Sequence, residues 1–133
     1  MIYLPDTNVC IALLRGRTPQ LSARWQSVRP DDIAICAVVA YELRYGAECS
    51  ADPQGENSKL DKFLAPYVCL PFDELCANRC GQLRRQLELA SQVIGPNDLQ
   101  IASIALHNDL TLVTHNAREF GRIDGLKTED WEA

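Results

Sequence analysis

The stretch Ile2-Tyr3-Leu4-Pro5-Asp6-Thr7-Asn8 is a short apolar run that ends in a carboxylate, a hydroxyl and an amide. Such a run predicts a buried strand over residues 2–5, with a helix beginning directly after it. In an open α/β sheet, ligands bind in the crevice beyond the carboxyl ends of the strands, where helices begin. We therefore expect Asp6 to lie at a ligand-binding edge and to meet there two acids from other helices, Glu42 and Asp98.

Strand-like and helix-like segments alternate along the rest of the chain. Further strands are predicted at residues 33–36, 67–70 and 110–113, with a small last strand at 126–128. Helices are predicted at residues 7–15, 19–28, 38–49, 58–64, 73–94 and 97–107, with a short helical turn after Asn116. The inner side of the helix at 73–94 is predicted to carry Leu75, Leu83, Leu87 and Ala90. Residues 50–57, rich in Pro, Gly and polar side chains, are interpreted as an exposed connection. The alternation predicts an α/β fold in which helices flank both faces of a short parallel sheet, as a single domain over residues 1–133.

The composition is that of an ordinary globular protein. The chain has 133 residues, of which 47% are hydrophobic and 23% charged, which is enough for one domain with a hydrophobic core. No apolar run approaches the ~18 residues of a membrane span, and the start of the chain lacks the basic region and cleavage site of a secretory signal. We therefore expect a cytoplasmic protein without membrane contact.

The charge is negative overall but unevenly distributed. A net charge of −5 argues against binding nucleic acid by bulk positive charge. Residues 15–29 nevertheless contain four arginines and no acid, whereas the last fifteen residues contain five acids and only two basic residues. The arginine segment is either a solvated helix face or a strip for phosphate groups or an acidic partner segment, and the sequence leaves both open.

Most of the six cysteines lie in apolar surroundings, where a free thiol behaves as a small hydrophobe. Cys76 and Cys80 are four residues apart on a predicted helix, a spacing compatible with a thiol pair or a zinc site. The chain has no CxxC motif, however, and His107 and His115 lack zinc-finger spacing. We therefore interpret the cysteines as buried or incidental thiols.

Glu42 and Asp98 are carboxylates on otherwise apolar helix faces. Their neighbours three and four residues along the helix are mostly apolar: Val38, Val39, Tyr45 and Gly46 beside Glu42, and Ile101 and Ala102 beside Asp98. A carboxylate on such a face is costly to bury without a partner. Each also has an ordinary explanation, Glu42 as a surface acid paired with an arginine and Asp98 as a cap that favours the helix dipole.

A fourth candidate, Asn116, follows the predicted strand 110–113 and shares the sheet edge with Asp6. Its amide oxygen can ligate a hard cation, and Thr114 could hydrogen-bond a neighbouring acid. Turn chemistry explains both residues as well, since Asn and Thr favour strand ends.

Together these residues suit a hard divalent cation. Mg²⁺ and Mn²⁺ prefer oxygen ligands, and a bound ion neutralises charge that builds on a phosphorane. Two ions about 3.5–4 Å apart can clamp both the attacking and the leaving oxygen. Asp6, Glu42, Asp98 and Asn116 therefore predict a site for one or two such ions that acts on a phosphodiester.

Six stretches, in order along the chain, resemble those of the PIN-domain toxins of bacterial VapBC toxin–antitoxin modules. They are Leu4-Pro5-Asp6-Thr7-Asn8, Tyr41-Glu42-Leu43-Arg44-Tyr45-Gly46, Pro71-Phe72-Asp73, Ile94-Gly95-Pro96-Asn97-Asp98-Leu99-Gln100-Ile101-Ala102, Leu112-Val113-Thr114-His115-Asn116-Ala117-Arg118-Glu119-Phe120 and Glu129-Asp130-Trp131. None is decisive alone, but the ordered set is specific and extends almost from end to end.

The resemblance implies a PIN-like three-layer α/β/α fold and a Mg²⁺- or Mn²⁺-dependent ribonuclease. It also implies a small VapB-like antitoxin whose C-terminal segment wraps the toxin and blocks the site. A homodimer and a toxin–antitoxin hetero-oligomer are the expected assemblies.

By matching motif, the resemblance implies that Asp6, Glu42 and Asp98 are metal ligands. Thr7, Asn8 and Thr114 are the expected supporting residues. Asn116 stands where many PIN domains have a fourth acid, as it does in a number of these toxins, which leaves the second ion open. Glu119, one helical turn further, could reach that ion through water.

Two classes of function remain after this comparison. The first is a metal-dependent endoribonuclease toxin that cuts RNA by attack of an activated water. The alternative is a catalytically weakened module that binds RNA or antitoxin without cutting, which Asn116 would indicate. A phosphatase with an aspartyl nucleophile is disfavoured, because that chemistry expects a second Asp where this chain has Asn8.

Overall fold

The computed structural model describes residues 1–133. Its five short strands are β1 (Tyr3–Pro5), β2 (Ala34–Cys36), β3 (Val68–Leu70), β4 (Thr111–Val113) and β5 (Thr128–Glu129). Pairing is parallel throughout, β1 with β4, β4 with β5, and β2 with β3. A parallel bridge between Tyr3 and Ile33 joins the two groups beside β1. The strand order is therefore β3-β2-β1-β4-β5, and Asp6 follows the central strand.

Seven helices connect these strands. They are α1 (Thr7–Arg15), α2 (Pro19–Ser27), α3 (Ala37–Glu48), α4 (Pro53–Leu64), α5 (Glu74–Leu89), α6 (Pro96–His107) and α7 (Ala117–Phe120), with a 3₁₀ turn at Pro30–Asp32. The predicted α/β class, with a short parallel sheet flanked by helices, is confirmed. The last strand lies at Thr128–Glu129, slightly later than predicted. None of the helices has the length and apolar character needed to cross a membrane.

Local capping determines how α1 begins and ends. The Asp6 side chain accepts a hydrogen bond from the backbone N–H of Val9, which satisfies one of the unpaired donors at the helix start. Gly16 ends the helix in the left-handed region at φ 68°, where a residue without a Cβ has no steric penalty.

The interpretation of residues 50–57 as an exposed connection is wrong for its second half, because α4 begins at Pro53 rather than near residue 58. Asp52 is the N-cap and accepts a hydrogen bond from the N–H of Gly55 at 3.2 Å. Proline at the first helical position lacks only an N–H that would have had no helical partner. The Pro and Gly content that indicated a loop therefore belongs to a helix start.

The predicted extent and inner face of α5 also need correction. The helix ends at Leu89, and Ser91 has a positive φ of 56°, so the chain turns before Gly95-Pro96. Asp73 caps the helix and sets its phase so that Cys76, Leu83 and Leu87 face the core. Leu75, predicted on the inner side, is 59% exposed, and Ala90 is exposed as well.

The core is one cluster of 30 buried hydrophobic residues, which includes Leu4, Leu112 and Ile101. All six cysteines are free, but only Cys10, Cys36 and Cys76 among them are buried.

The acidic end of the chain folds back onto the arginine segment. Trp131 packs edge-on against Tyr3, with ring centroids 5.0 Å apart. The guanidinium of Arg24 lies 5.1 Å from the Trp131 ring centroid and 3.6 Å from the Glu129 carboxylate. Arg24 therefore contacts the chain's own acidic C-terminal segment.

Candidate active site

Asp6 lies at the carboxyl end of β1, beside the end of β4. Its backbone N–H donates to the carbonyl of Val113 at 2.9 Å, and its Oδ1 accepts from the N–H of Val9 at 2.9 Å. The side chain is only 4% exposed. Burial raises the pKa of Asp6, the charge of Glu42 adds to this, and hydrogen bonds from Thr114 and Val9 oppose it. Asp6 is thus a buried acid that its neighbours partly hold in the ionised form.

Glu42, half-buried on α3, is held from two sides. Its Oε1 accepts a hydrogen bond from Thr7 Oγ1 at 2.5 Å, and its Oε2 accepts one from Asn97 Nδ2 at 3.2 Å. These donors come from the first turns of α1 and α6. Glu42 therefore joins the starts of two helices and is not the arginine-paired surface acid of the ordinary explanation.

Asp98, in the first turn of α6, is half-buried and interacts with three other acids. Burial raises the pKa of Asp98 to about 6, with further contributions from the negative charges of Glu119, Asp6 and Glu42. A hydrogen bond with Glu119 acts in the same direction. A carboxylate that interacts with three others marks the point where the acids converge.

Asn116, the fourth candidate from the sequence, lies beside Glu119 at the start of α7. Asn116 is the N-cap of α7, and its Nδ2 donates to Glu119 Oε2 at 3.0 Å. The Thr114 hydroxyl accepts from the N–H of Asn116 at 2.9 Å. Asn116 therefore orients Glu119, which in turn interacts directly with Asp98.

The structure thus brings together most of the residues that the sequence predicted. Asp6, Glu42, Asp98, Thr7, Thr114 and Glu119 share contacts or charge interactions, whereas Asn8 is exposed on α1. Sequence reasoning missed Asn97 as a partner of Glu42. Its position next to Asp98 in the first helical turn was the available signal.

The spacing of the acids differs from that of two other clusters. Potential metal-binding atoms lie within 4.8 Å of one another in the group Asp73, Cys76 and His107 and in the group His115, Asp130 and Glu132. The carboxylates of Asp6, Glu42 and Asp98 are spaced more widely than this. Their donor atoms are nevertheless all oxygens, the ligand type of Mg²⁺ and Mn²⁺.

Comparisons with known proteins identify relatives of the chain over its whole length. A family model described as "PIN domain" matches residues 3–126. Ribonuclease VapC2 of Rickettsia felis is 38% identical over 133 residues, covering 99% of each protein. The tRNA(fMet)-specific endonuclease VapC of Shigella flexneri is 34% identical over 129 residues, covering 97% of each.

Solved structures with the same fold give a consistent result. The crystal structure of VapBC2 from Rickettsia felis, bound to a DNA fragment from its promoter, aligns with a TM-score of 0.91 and 37% identity, covering 98% of this chain and 99% of that one. The DNA-bound VapBC of Salmonella typhimurium aligns with a TM-score of 0.92 and 32% identity, covering 98% of each chain.

Proposed function

The chain belongs to the PIN-domain family of VapC proteins, and from this we propose that it is a toxin ribonuclease inhibited by a VapB-type antitoxin. The observation that carries the proposal is the convergence of Asp6, Glu42 and Glu119 on Asp98, where burial and then the charges of these acids raise the pKa of Asp98 to about 6. Perturbed acids that converge at one sheet edge are typical of an active site. A cytoplasmic location follows as part of the proposal, since the proposed substrate is RNA.

We propose Asp6, Glu42 and Asp98 as the ligands of one or two Mg²⁺ or Mn²⁺ ions. The all-oxygen donor set supports a hard cation of this kind. When bound, the ion would neutralise negative charge that builds on the scissile phosphate.

The other residues orient these acids. Thr7 and Asn97 hold the two oxygens of Glu42, so its carboxylate presents a defined direction to the site. Asn116 orients Glu119 toward Asp98, and we propose Glu119 as the fourth carboxylate in place of Asn116. Glu119 then supplies the carboxylate that Asn116 lacks. The presence of Asn116 therefore no longer argues for a catalytically weakened module.

The proposed reaction is hydrolysis of an RNA phosphodiester bond. A water oxygen forms a new P–O bond, the bond to the leaving oxygen breaks, and the water's protons are shared between solvent and the leaving group. One relative is named a tRNA(fMet)-specific endonuclease. Initiator tRNA is therefore the first substrate that we would test.

The proposed antitoxin site is a groove between α1, α3 and α4 that has Glu42 in its lining. Its cavity of about 320 Å³ is lined by five hydrophobic residues, among them Ile11, Leu14, Leu43 and Leu60, and by five others that include Arg15 and Glu56. An apolar antitoxin segment in this groove would extend to the acidic cluster and block it, as expected for a toxin–antitoxin hetero-oligomer.

The deciding experiment is cleavage of labelled initiator tRNA and of a total RNA pool by the antitoxin-free protein with Mg²⁺, Mn²⁺ or EDTA. Asp98→Asn, prepared in parallel, controls for contaminating nuclease because it removes the carboxylate and keeps the size of the side chain. We expect metal-dependent cleavage that is lost in this variant and in Glu42→Gln. Cleavage that persists in EDTA would contradict the metal assignment. Binding of RNA without cleavage of either substrate, in a protein that also fails to bind Mn²⁺, would instead support the binding-only alternative.

A further inference from the structure

The start of α5 and the end of α6 bring together three potential metal ligands. A carboxylate oxygen of Asp73, Sγ of Cys76 and a ring nitrogen of His107 all lie within 4.8 Å of one another. Asp73 is the N-cap of α5, Cys76 lies in the first turn of that helix, and His107 is the last residue of α6. The fold therefore places a histidine beside Cys76, although the spacing of these residues along the sequence did not indicate it.

This group is separate from the acidic cluster. His107 and Asp98 are nine residues apart on α6 (107 minus 98), which corresponds to about 13 Å along the helix axis at about 1.5 Å per residue. A ligand bound beside His107 would therefore lie near the opposite end of α6 from Asp98.

The donors are of mixed chemistry. Thiolate, imidazole and carboxylate are the ligands of Zn²⁺ and related ions, whereas Mg²⁺ prefers oxygen alone. Zinc–ligand bonds of about 2.0–2.3 Å place the ligand atoms of a tetrahedral site roughly 3.5 Å apart. The three donors would have to close by only about 1 Å, and the exposed His107 side chain has the freedom to approach Cys76 and the capping Asp73.

A reactive thiol is the main alternative for such a group, and the surroundings of Cys76 disfavour it. Burial raises the pKa of Cys76, and the hydrogen bond and charge of Asp73 raise it further. The free thiol therefore stays protonated and is a poor nucleophile. A divalent cation bound between the three donors would offset the negative charge of Asp73 and so favour the thiolate form of Cys76.

We propose that Asp73, Cys76 and His107 form a binding site for Zn²⁺ or a similar transition-metal ion, with solvent in the fourth position. Binding releases the Cys76 thiol proton to solvent and forms a metal–thiolate bond. The ion would clamp the first turn of α5 to the last turn of α6 and stabilise their packing. This proposal is independent of the nuclease assignment.

The test is a titration of the full-length, antitoxin-free protein with Co²⁺, which reports a thiolate ligand by a near-ultraviolet charge-transfer band. We expect one Co²⁺ per chain to give this band, Zn²⁺ to displace it, and Zn²⁺ to raise the melting temperature. Cys76→Ser should abolish the band and reduce the thermal shift while leaving RNA cleavage unchanged.

Two milder variants make the result independent of how Cys76→Ser folds. His107→Ala alters an exposed side chain, and Asp73→Asn keeps a good N-cap while weakening the ligand. Each should weaken Co²⁺ binding at least tenfold, whereas Cys69→Ser, Cys80→Ser and Asp98→Asn should retain the charge-transfer band. Absence of the band in the unaltered protein, its survival in Cys76→Ser, or its loss in Cys69→Ser or Cys80→Ser would overturn the proposed ligand set.

Discussion

Thr7 Oγ1 donates a hydrogen bond to Glu42 Oε1 over 2.5 Å, between two residues that are 35 positions apart in the chain. Thr7 is buried, and Asn97 holds the other oxygen of the same carboxylate at 3.2 Å. The carboxylate of Glu42 is therefore held by hydrogen bonds from the starts of two other helices.

Thr7→Val should lower the rate of RNA cleavage by roughly tenfold to a hundredfold, since a hydrogen bond to a charged group contributes about 1.5–3 kcal/mol. Thr7→Ser keeps the hydroxyl and should retain most of the activity. Single-turnover cleavage of the same RNA by the two variants measures the difference. Equal rates for valine and the unaltered threonine would show that this bond does not position Glu42.

Asp6→Asn should abolish cleavage without destabilising the fold. The asparagine oxygen can still accept the hydrogen bond from the N–H of Val9. The variant also removes a carboxylate whose pKa is raised because burial disfavours its ionised form. Asp6→Ala loses the cap as well and should lower the free energy of unfolding by about 1 kcal/mol. Urea unfolding of both variants makes the comparison, and an Asp6→Asn protein as unstable as Asp6→Ala would contradict it.

His115 should titrate above its usual value. Its Nδ1 lies 3.0 Å from Asp130 Oδ2, and the hydrogen bond and charge of Asp130, followed by the charge of Glu132, raise the pKa of His115 from 6.5. Since the folded state binds this proton more tightly, the contact stabilises the fold fully below pH 6.5. That stabilisation is lost as the pH rises through the folded pKa.

The imidazole resonances of His115, followed by NMR against pH, test this prediction. Asp130→Asn should lower the midpoint, whereas Asp124→Asn, which removes an exposed acid outside the contact, should leave it unchanged. A midpoint that Asp130→Asn does not move would rule out Asp130 as the cause.

Leu14→Lys should weaken antitoxin binding at least tenfold and leave cleavage by the free protein unchanged. Leu14 lines the same groove as Glu42 and is 44% exposed, so a lysine can be accommodated in the free protein. Leu89→Lys alters a 69% exposed leucine outside this groove and is the matched control. Calorimetric titration with the antitoxin measures the affinity of each variant. Equal affinities for Leu14→Lys and Leu89→Lys would show that the antitoxin does not bind in this groove.

Local sequence signals predicted helix boundaries well where a single residue determines the backbone conformation. Asp6 and Gly16 start and end α1 at the predicted positions, because a carboxylate cap and a left-handed glycine act within one turn. The same rule was overlooked at Asp52-Pro53, where a loop was predicted and α4 begins. Composition indicated a loop there, but the order of cap and proline describes a helix start.

The sequence by itself determined the alternation of strands and helices, the parallel sheet and the placing of Asp6, Thr114 and Asn116 at one edge. These follow from hydrophobic pattern and capping, which act over a few residues. Only the tertiary structure decided that Asn97 reaches Glu42, that Glu119 adjoins Asp98 and that His107 meets Cys76. Asn97 and Glu42 are 55 positions apart, and no local rule specifies such a contact. It depends on how whole helices pack and which way each side chain then turns, and these are settled by burial of the shared core.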